Sequence, residues 1–205
     1  RGRVDGEPVS SLGLLFSKAP VLCFEPDSHD LIAGPADERR RFLDWGLFHV
    51  EPDFLLGWRR YQRALRQRNA LLKQPARHGE LALWDSEVSA CGLALDRFRQ
   101  SYVESLRPQV ELLVSQLVPE LGEPRLQYLP GWRADSLSLS EALEATQERD
   151  RLQGNTSVGP HRADLVLGYS LLEVRELFSR GQEKLTALCL RLAQARLHAA
   201  STGDW

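Results

Sequence analysis

The chain has 205 residues, 42% of them hydrophobic and 26% charged, which is the composition of a globular protein large enough to bury a core. Its formal net charge of −2 says nothing about binding to nucleic acid, so any basic surface has to be local. Five scattered histidines argue against a zinc site, and Cys23, Cys91 and Cys189, which form no CxxC pair, are expected as core residues of a reducing compartment. No apolar run is long enough for a membrane span and no signal peptide is evident, so we expect a cytoplasmic protein without membrane contact.

The pattern of residues 1–35 predicts strands and turns. The pair Asp5 and Gly6 is typical of a hairpin turn. The apolar run 21–24 ends before Pro26 and predicts a short strand.

Residues 39–77 are locally basic, with ten Arg and Lys residues and only three acids. Two sets of arginines draw attention: a consecutive run, and a set spaced i, i+4 and i+7 that lies on one face of a helix. Such a face is commonly solvated surface. It equally suits a phosphate backbone, and in that interpretation the candidate DNA contacts are Arg39, Arg40, Arg41, Arg59, Arg63 and Arg66.

Two apolar seams predict a pair of long amphipathic helices. The first covers residues 54–72, is interrupted by Arg68, and ends before the turn signals Pro75 and Gly79. The second covers residues 84–117. Helices joined by about seven residues pack as an antiparallel hairpin, and their aromatic side chains are expected in its core.

The following segment combines short strands with one capped helix. Residues 126–129 lie between two prolines and are expected to form a strand. Ser138 and Glu141 have the spacing of a capping box and open a helix predicted to reach about Leu152.

A turn at Gly159 and Pro160 precedes a strand predicted over residues 163–167. The turn presents His161 and Arg162, which are candidates for contact with a phosphate or with a partner subunit. Ordinary turn residues have the same appearance, so both interpretations stand.

Near the end of the chain, Ser179 and Gln182 also have the spacing of a capping box. Apolar residues then recur at helical spacing and predict a helix to about His198. Because Gly181 in the first turn permits close approach, a capped N-terminus carrying Arg180 suits a phosphate. The alternative is an ordinary helix cap with a surface arginine.

Four stretches, in order along the chain, resemble the RecF family of bacterial recombination-mediator ATPases, which are of the ABC type and related to the SMC proteins. They are residues 39–45, 67–69, 159–164 and 179–194, and the match extends from about residue 21 to about residue 195. The resemblance implies an α/β P-loop (ABC-type) ATPase fold with an inserted, mainly helical domain that contains the long antiparallel hairpin. Residues 1–35 would end the N-terminal part of the ATPase domain, 36–153 would form the helical arm, and 154–205 would return to the ATPase domain with the signature motif.

The resemblance also implies a function. Ser179, Arg180, Gly181 and Gln182 would contact the ATP of the opposing subunit in an ATP-dependent homodimer. That dimer would bind single-stranded and duplex DNA at gaps, acting with the mediators RecO and RecR in DNA replication, recombinational repair of DNA damage and the SOS response.

Two elements of an ABC-type ATP site are missing from the sequence: the GxxxxGK[ST] phosphate loop, and an apolar strand ending in the acids that hold magnesium. The resemblance implies that the complete parent protein binds ATP with Mg and is a weak ATPase. Because the two elements are missing, this chain is expected to supply no catalytic residue and no metal ligand. The absence of methionine and the start at Arg1 indicate a piece of a longer protein. The alternative function is a helical protein-interaction module without nucleotide chemistry.

Overall fold

The computed structural model describes residues 2–4, 7–9, 20–23, 25, 28–74, 78–171 and 178–203, and this part of the chain is mainly helical. Its helices are α1 (Asp30–Ala33), α2 (Ala36–Val50), α3 (Phe54–Leu72), α4 (His78–Leu117), α5 (Leu139–Ala145), α6 (Gln147–Gln153) and α7 (Arg180–Thr202). Its strands are β1 (Gly2–Val4), β2 (Glu7–Val9), β3 (Pro124–Leu129) and β4 (Asp164–Tyr169), and single 3-10 turns lie at Pro119–Leu121 and Pro160–Arg162. None of the helices in these ranges is both long enough and apolar enough to cross a membrane.

Helix α2 begins directly after Pro35, whose extended backbone sets the chain direction. Asp37 and Glu38 lie in its first turn, where negative charge is favoured by the helix dipole. The helix faces the core along one stripe, as expected for residues that recur three and four positions apart. The buried residues of this stripe are Arg39, Phe42, Leu43, Gly46 and Leu47.

Helices α3 and α4 lie side by side and run antiparallel. Phe54 at the start of α3 packs edge-on against Phe98, with ring centroids 6.2 Å apart. Arg68 near the end of α3 instead donates from Nε to Oδ1 of Asp85 at 2.6 Å. Both predicted helices are present, the second beginning at His78, and α4 is about 60 Å long. Their status as an inserted domain of an ATPase stays a prediction.

Strands β3 and β4 pair antiparallel, with Pro124 opposite Tyr169 and Leu129 opposite Asp164. β3 contains the strand predicted at 126–129, and β4 contains residues 164–167 of the strand predicted at 163–167 but begins after Ala163. β1 and β2 also pair antiparallel, from Gly2 opposite Val9 to Val4 opposite Glu7, and the predicted turn residues between them lie outside the described residues.

Three expectations about local structure are corrected. Residues 21–23 form no strand, because no backbone hydrogen bond joins them to another described segment, and Phe24 lies outside the described residues. Cys23 in the same segment is exposed, whereas Cys91 and Cys189 are buried as predicted. The helix predicted to reach Leu152 is divided into α5 and α6 at Thr146, whose hydroxyl bonds back to the carbonyl oxygen of Ala142 at 2.9 Å.

The core lies where α2, α4 and α7 meet the β3–β4 pair. Gly46 in α2 permits the closest approach, since a Cβ at this position would lie 2.0 Å from the Tyr102 hydroxyl. Gln194 fills the adjoining space and donates from Nε2 to the Phe42 carbonyl at 2.8 Å and to the Tyr102 hydroxyl at 3.1 Å. This buried amide ties α2, α4 and α7 together.

Candidate nucleotide and nucleic-acid contact sites

The N-terminus of α7 has the predicted capping box. Ser179 has an extended backbone, and its Oγ accepts the N–H of Gln182 at 3.3 Å. The Gln182 side chain accepts the N–H of Ser179 through Oε1 at 2.8 Å. These two bonds satisfy two of the backbone donors at this helix end and leave the N–H groups of Arg180 and Gly181 without an intrahelical acceptor.

The first turn of α7 is accessible. Ser179, Arg180 and Gly181 are exposed, and Gln182 is half-buried. Arg180 forms no ion pair or hydrogen bond with any other described residue. A Cβ at Gly181 would contact only the Ser179 hydroxyl, at 3.9 Å, so packing within the described chain does not require glycine here.

The turn is held on a rigid support. Phe178, immediately before the cap, is buried and stacks at a tilt on Tyr169 of β4, with ring centroids 5.5 Å apart. The Tyr169 hydroxyl lies 2.9 Å from Oγ1 of Thr186 on α7. Strand β4 therefore fixes both the start and the second turn of α7.

The consecutive arginines 39–41 have three different environments. Arg39 is buried and donates from Nε and Nη2 to both carboxylate oxygens of Asp164, at 2.6 and 3.0 Å. Arg40 donates to the Ala163 carbonyl at 2.7 Å. Arg41 is exposed and forms surface ion pairs with the acids of its own helix turn. Arg39 and Arg40 thus fasten α2 to the start of β4 and have few donors left for an external phosphate.

The three arginines spaced along α3 do share one exposed face. Arg59, Arg63 and Arg66 are exposed and form no ion pair or hydrogen bond with another described residue. The intervening Arg60 differs, because it donates from Nη2 to Glu87 of α4 at 2.8 Å. Uncompensated positive charge on α3 is therefore concentrated at Arg59, Arg63 and Arg66.

His161 and Arg162 face different surroundings. Nδ1 of His161 lies 2.8 Å from the Tyr61 hydroxyl, and its Nε2 lies 2.9 Å from the Thr156 carbonyl. Burial lowers the pKa of His161 to about 4, so the ring is neutral at pH 7. Both ring nitrogens are occupied within the chain, whereas Arg162 is exposed without a partner among the described residues.

Arg68 has a role that its position in an apolar seam only hinted at. Its side chain is fully buried, and Nη1 donates to Asp150 and to the Thr156 hydroxyl, both at 2.8 Å, in addition to the Asp85 bond. Asn69 completes the cluster by accepting the Thr156 N–H at 2.8 Å. A charge inside an apolar seam signals a buried pair, but its partners stand 17 and 82 positions away and sequence spacing could not identify them.

A second buried arginine, Arg99 on α4, joins the helices to the turn that carries His161. It donates from Nε and Nη2 to the carboxylate of Asp44, at 2.9 and 3.0 Å, and from Nη1 to the Pro160 carbonyl at 2.6 Å. Arg39, Arg68 and Arg99 are therefore structural cations. Across the described ranges, no three His, Cys, Asp or Glu side chains are grouped so as to hold a metal ion.

The chain was compared with known proteins, and no protein-family model matches it. It is 51% identical over 205 residues to the DNA replication and repair protein RecF of Stenotrophomonas maltophilia (strain R551-3), covering 100% of this chain and 56% of that protein. RecF of Xanthomonas euvesicatoria pv. vesicatoria (strain 85-10) is 51% identical over 204 residues, with 55% of that protein covered. RecF of Pseudomonas putida (strain W619) is 42% identical over 200 residues, which are 95% of this chain and 53% of that protein.

Two solved structures of the recombination mediator protein RecF in the RecFOR pathway, RecF-ATP and RecF-ATPrS, are similar to the chain with a TM-score of 0.89 at 22% identity. The match covers 98% of this chain and 57% of theirs, and it shows that the chain has the fold of the corresponding, mainly helical part of those structures. The chain matches a segment of RecF proteins at 42–51% identity, which confirms the resemblance seen in its motifs. It spans about half the length of the curated relatives it matches.

Proposed function

We propose that the chain is part of a RecF-type DNA replication and repair protein and that it contacts, in trans, the ATP held by the opposing subunit of a homodimer. The observation that carries this proposal is the first turn of α7, where N–H groups without an intrahelical acceptor, an Arg180 unpaired among the described residues and an unhindered Gly181 lie together. The names of the relatives support the repair role, and the fold shared with RecF-ATP supports ATP as the ligand.

The first turn of α7 suits a terminal phosphate for electrostatic reasons. The free N–H groups of Arg180 and Gly181 add to the positive end of the helix dipole, and the Arg180 guanidinium supplies charge-assisted hydrogen bonds. Ser179 and Gln182 hold the turn in helical geometry without covering it. Because Gly181 packs on nothing inside the described chain, the advantage of its missing side chain lies in how closely a group from outside can approach.

The rest of the ATP site is assigned outside this chain. The phosphate loop and the magnesium ligands have no counterpart in the sequence, so the ATP-binding loop, the Mg ion and the activated water belong to other parts of the protein. The chain accordingly contributes binding and dimer contacts rather than catalytic groups. Within this arrangement, 36–153 would form an inserted helical domain and 154–205 the return to the ATPase domain.

DNA contact is proposed for the exposed face of α3. Arg59, Arg63 and Arg66, which pair with no other residue in the described ranges, project their charge over about two helical turns. This suits the spacing of phosphates along a backbone and requires no base sequence. We add Arg41 and Arg162 as peripheral contacts, since both are exposed. We do not extend the proposal to the remaining candidates, whose donors serve internal bonds: Arg39, Arg40 and His161.

The cellular role follows from the similarity to RecF. We propose that the complete protein acts at DNA gaps in the cytoplasm together with RecO and RecR, in recombinational repair and SOS induction. The RecFOR pathway named for the similar structures supports these partners.

The test is Arg180→Ala in the full-length protein. We expect the variant to lose ATP-dependent dimerisation in sedimentation velocity experiments, while ATP binding to the monomer, measured by fluorescence of a labelled nucleotide, stays nearly unchanged. Arg196→Ala is the matched control, because Arg196 is another exposed arginine of α7 without a partner in the described chain. It should dimerise normally.

A dimer of unchanged ATP dependence in Arg180→Ala would refute the contact in trans. Loss of ATP binding to the monomer would instead mean that Arg180 acts within its own subunit. If the full-length protein neither binds ATP nor dimerises with it, the alternative of a helical protein-interaction module takes precedence.

A further inference from the structure

A groove of about 720 Å³ lies between α3 and α4 on the side of the helix pair that carries the free arginines. Its apolar lining comes from Leu56 and Ala64 of α3 and from Leu83 and Trp84 of α4. Its volume is within the range of pockets that bury most of a ligand.

The leucines of this groove are unusually exposed for their size. Leu56 is 72% exposed and Leu83 is 73% exposed, and they border one groove rather than lying apart on the surface. Trp84 is partly buried and contributes its apolar ring to the floor. Isolated exposed leucines are common on protein surfaces, but leucines gathered around a shared concave site mark a place where another apolar group packs.

The charge of the groove is positive. Arg59 and Arg63 line it without an acidic partner among the described residues. Arg60 also lines it, but its charge is compensated by Glu87, whose Oε2 accepts from Nη2 at 2.8 Å. An occupant that complements the groove therefore needs carboxylates beside an apolar side chain.

We propose that this groove binds a segment of a partner protein in which apolar anchor residues are flanked by acidic ones. The lining from Leu56 to Arg63 extends about 10 Å along α3, which matches about two turns of an amphipathic helix or a few extended residues. Duplex DNA offers phosphates to the arginines but no side chain for the apolar floor. A single strand needs exposed aromatic faces for stacking, and Trp84 is partly buried.

This interaction goes beyond the DNA contact proposed above and does not depend on it. Both would use Arg59 and Arg63, so a bound segment would displace DNA from this face of α3. Partner binding and DNA binding are then mutually exclusive here, whereas the apolar residues serve the partner alone.

The experiment uses the full-length protein and a fluorescein-labelled peptide of about a dozen residues, in which two leucines one helical turn apart stand among aspartates and glutamates. Binding is measured by fluorescence anisotropy. We expect the double variant Leu56→Ser/Leu83→Ser to weaken peptide binding at least about tenfold, because the anchors lose their apolar contacts. Arg196→Ala, at an exposed arginine of α7 outside the groove lining, is the matched control and should bind as the unsubstituted protein does.

Duplex binding by the same variants separates this inference from the DNA proposal. The Leu56→Ser/Leu83→Ser variant changes no charge and should therefore leave duplex binding unaltered. This expectation holds whether or not the arginines of α3 contact DNA. Absence of peptide binding, or binding that the serine variant retains, would overturn the inference. The inference would also be overturned if a labelled oligothymidylate lost affinity for the Leu56→Ser/Leu83→Ser variant while the peptide did not bind the unsubstituted protein.

Discussion

Replacing Arg68 with methionine removes a guanidinium from the centre of the fold and keeps most of its apolar volume. The Arg68 side chain is fully buried and joins α3 to Asp85 of α4 and to Asp150 of α6. It also donates to the Thr156 hydroxyl, in the segment that leads to the His161 turn. The change therefore tests whether one buried cation holds these elements together.

The expected loss in the free energy of unfolding depends on the interactions that the carboxylates of Asp150 and Asp85 retain in the variant. Removing one partner of a buried ion pair costs about 3–5 kcal/mol. Asp150 is fully buried but still accepts the N–H of Ser157 at 3.1 Å, so the lower end applies. Asp85 is 22% exposed, and water compensates its charge in part. We expect a loss of about 3 kcal/mol, which for a chain of this size lowers Tm by about 6–12 °C.

The assay is thermal and urea unfolding followed by far-ultraviolet circular dichroism. Arg66→Met is the matched control on the same helix, since Arg66 is exposed and unpaired in the described chain, and it should change the free energy of unfolding by less than about 0.5 kcal/mol. Adding Asp150→Asn to Arg68→Met removes the orphaned charge and should recover about 1 kcal/mol or more. Equal unfolding temperatures for Arg68→Met and Arg66→Met would refute the reasoning.

Two further predictions concern pH and salt. Burial lowers the pKa of His161 from 6.5 to about 4, so between these values the unfolded chain binds more protons than the folded one. The free energy of unfolding should therefore fall by up to about 3 kcal/mol as the pH drops through this window. In urea titrations at several pH values, His161→Asn should remove that part of the pH dependence. A variant that keeps the original pH dependence would contradict its assignment to His161. Neutralising Arg59, Arg63 and Arg66 together should reduce the salt slope of duplex binding by up to about three. Arg196→Ala, as the control, should leave this slope unchanged. An unaltered slope in the triple variant would mean that these arginines are solvated surface residues that do not contact phosphate.

The local elements were predictable because their causes lie within a few residues. The capping boxes at Ser138 and Ser179 depend on a partner three positions away, and both have the expected pair of hydrogen bonds. The long helices followed from apolar residues recurring at helical spacing, and the end of the first from the nearby Pro75. Gly79, which was expected in the turn, lies instead inside the second helix, because that helix already begins at His78. The strand predicted at 21–24, of which the structure describes 21–23, failed for the opposite reason, because a strand requires a neighbouring strand and the local pattern does not reveal one.

The functional surface was predictable only in part. Arg39 and Arg41 are two positions apart in one basic run, yet Arg39 is buried against Asp164 and Arg41 is exposed. Arg59, Arg63 and Arg66 share an exposed face, as their helical spacing predicted. The groove lined by Leu56 and Leu83 had no signal in the sequence, since it arises from how two helices meet.

By itself, the sequence determined the resemblance to RecF, the helix caps and the long helices, because motif identity and periodicity are properties of neighbouring residues. Only the tertiary structure decided which cations are structural and which remain free. A buried guanidinium is stable only beside a carboxylate, and the carboxylates that serve Arg39, Arg68 and Arg99 come from elements distant in the chain. Folding thus removes some arginines from the surface and leaves others unpaired on α3 and α7, where DNA and ATP contact is proposed.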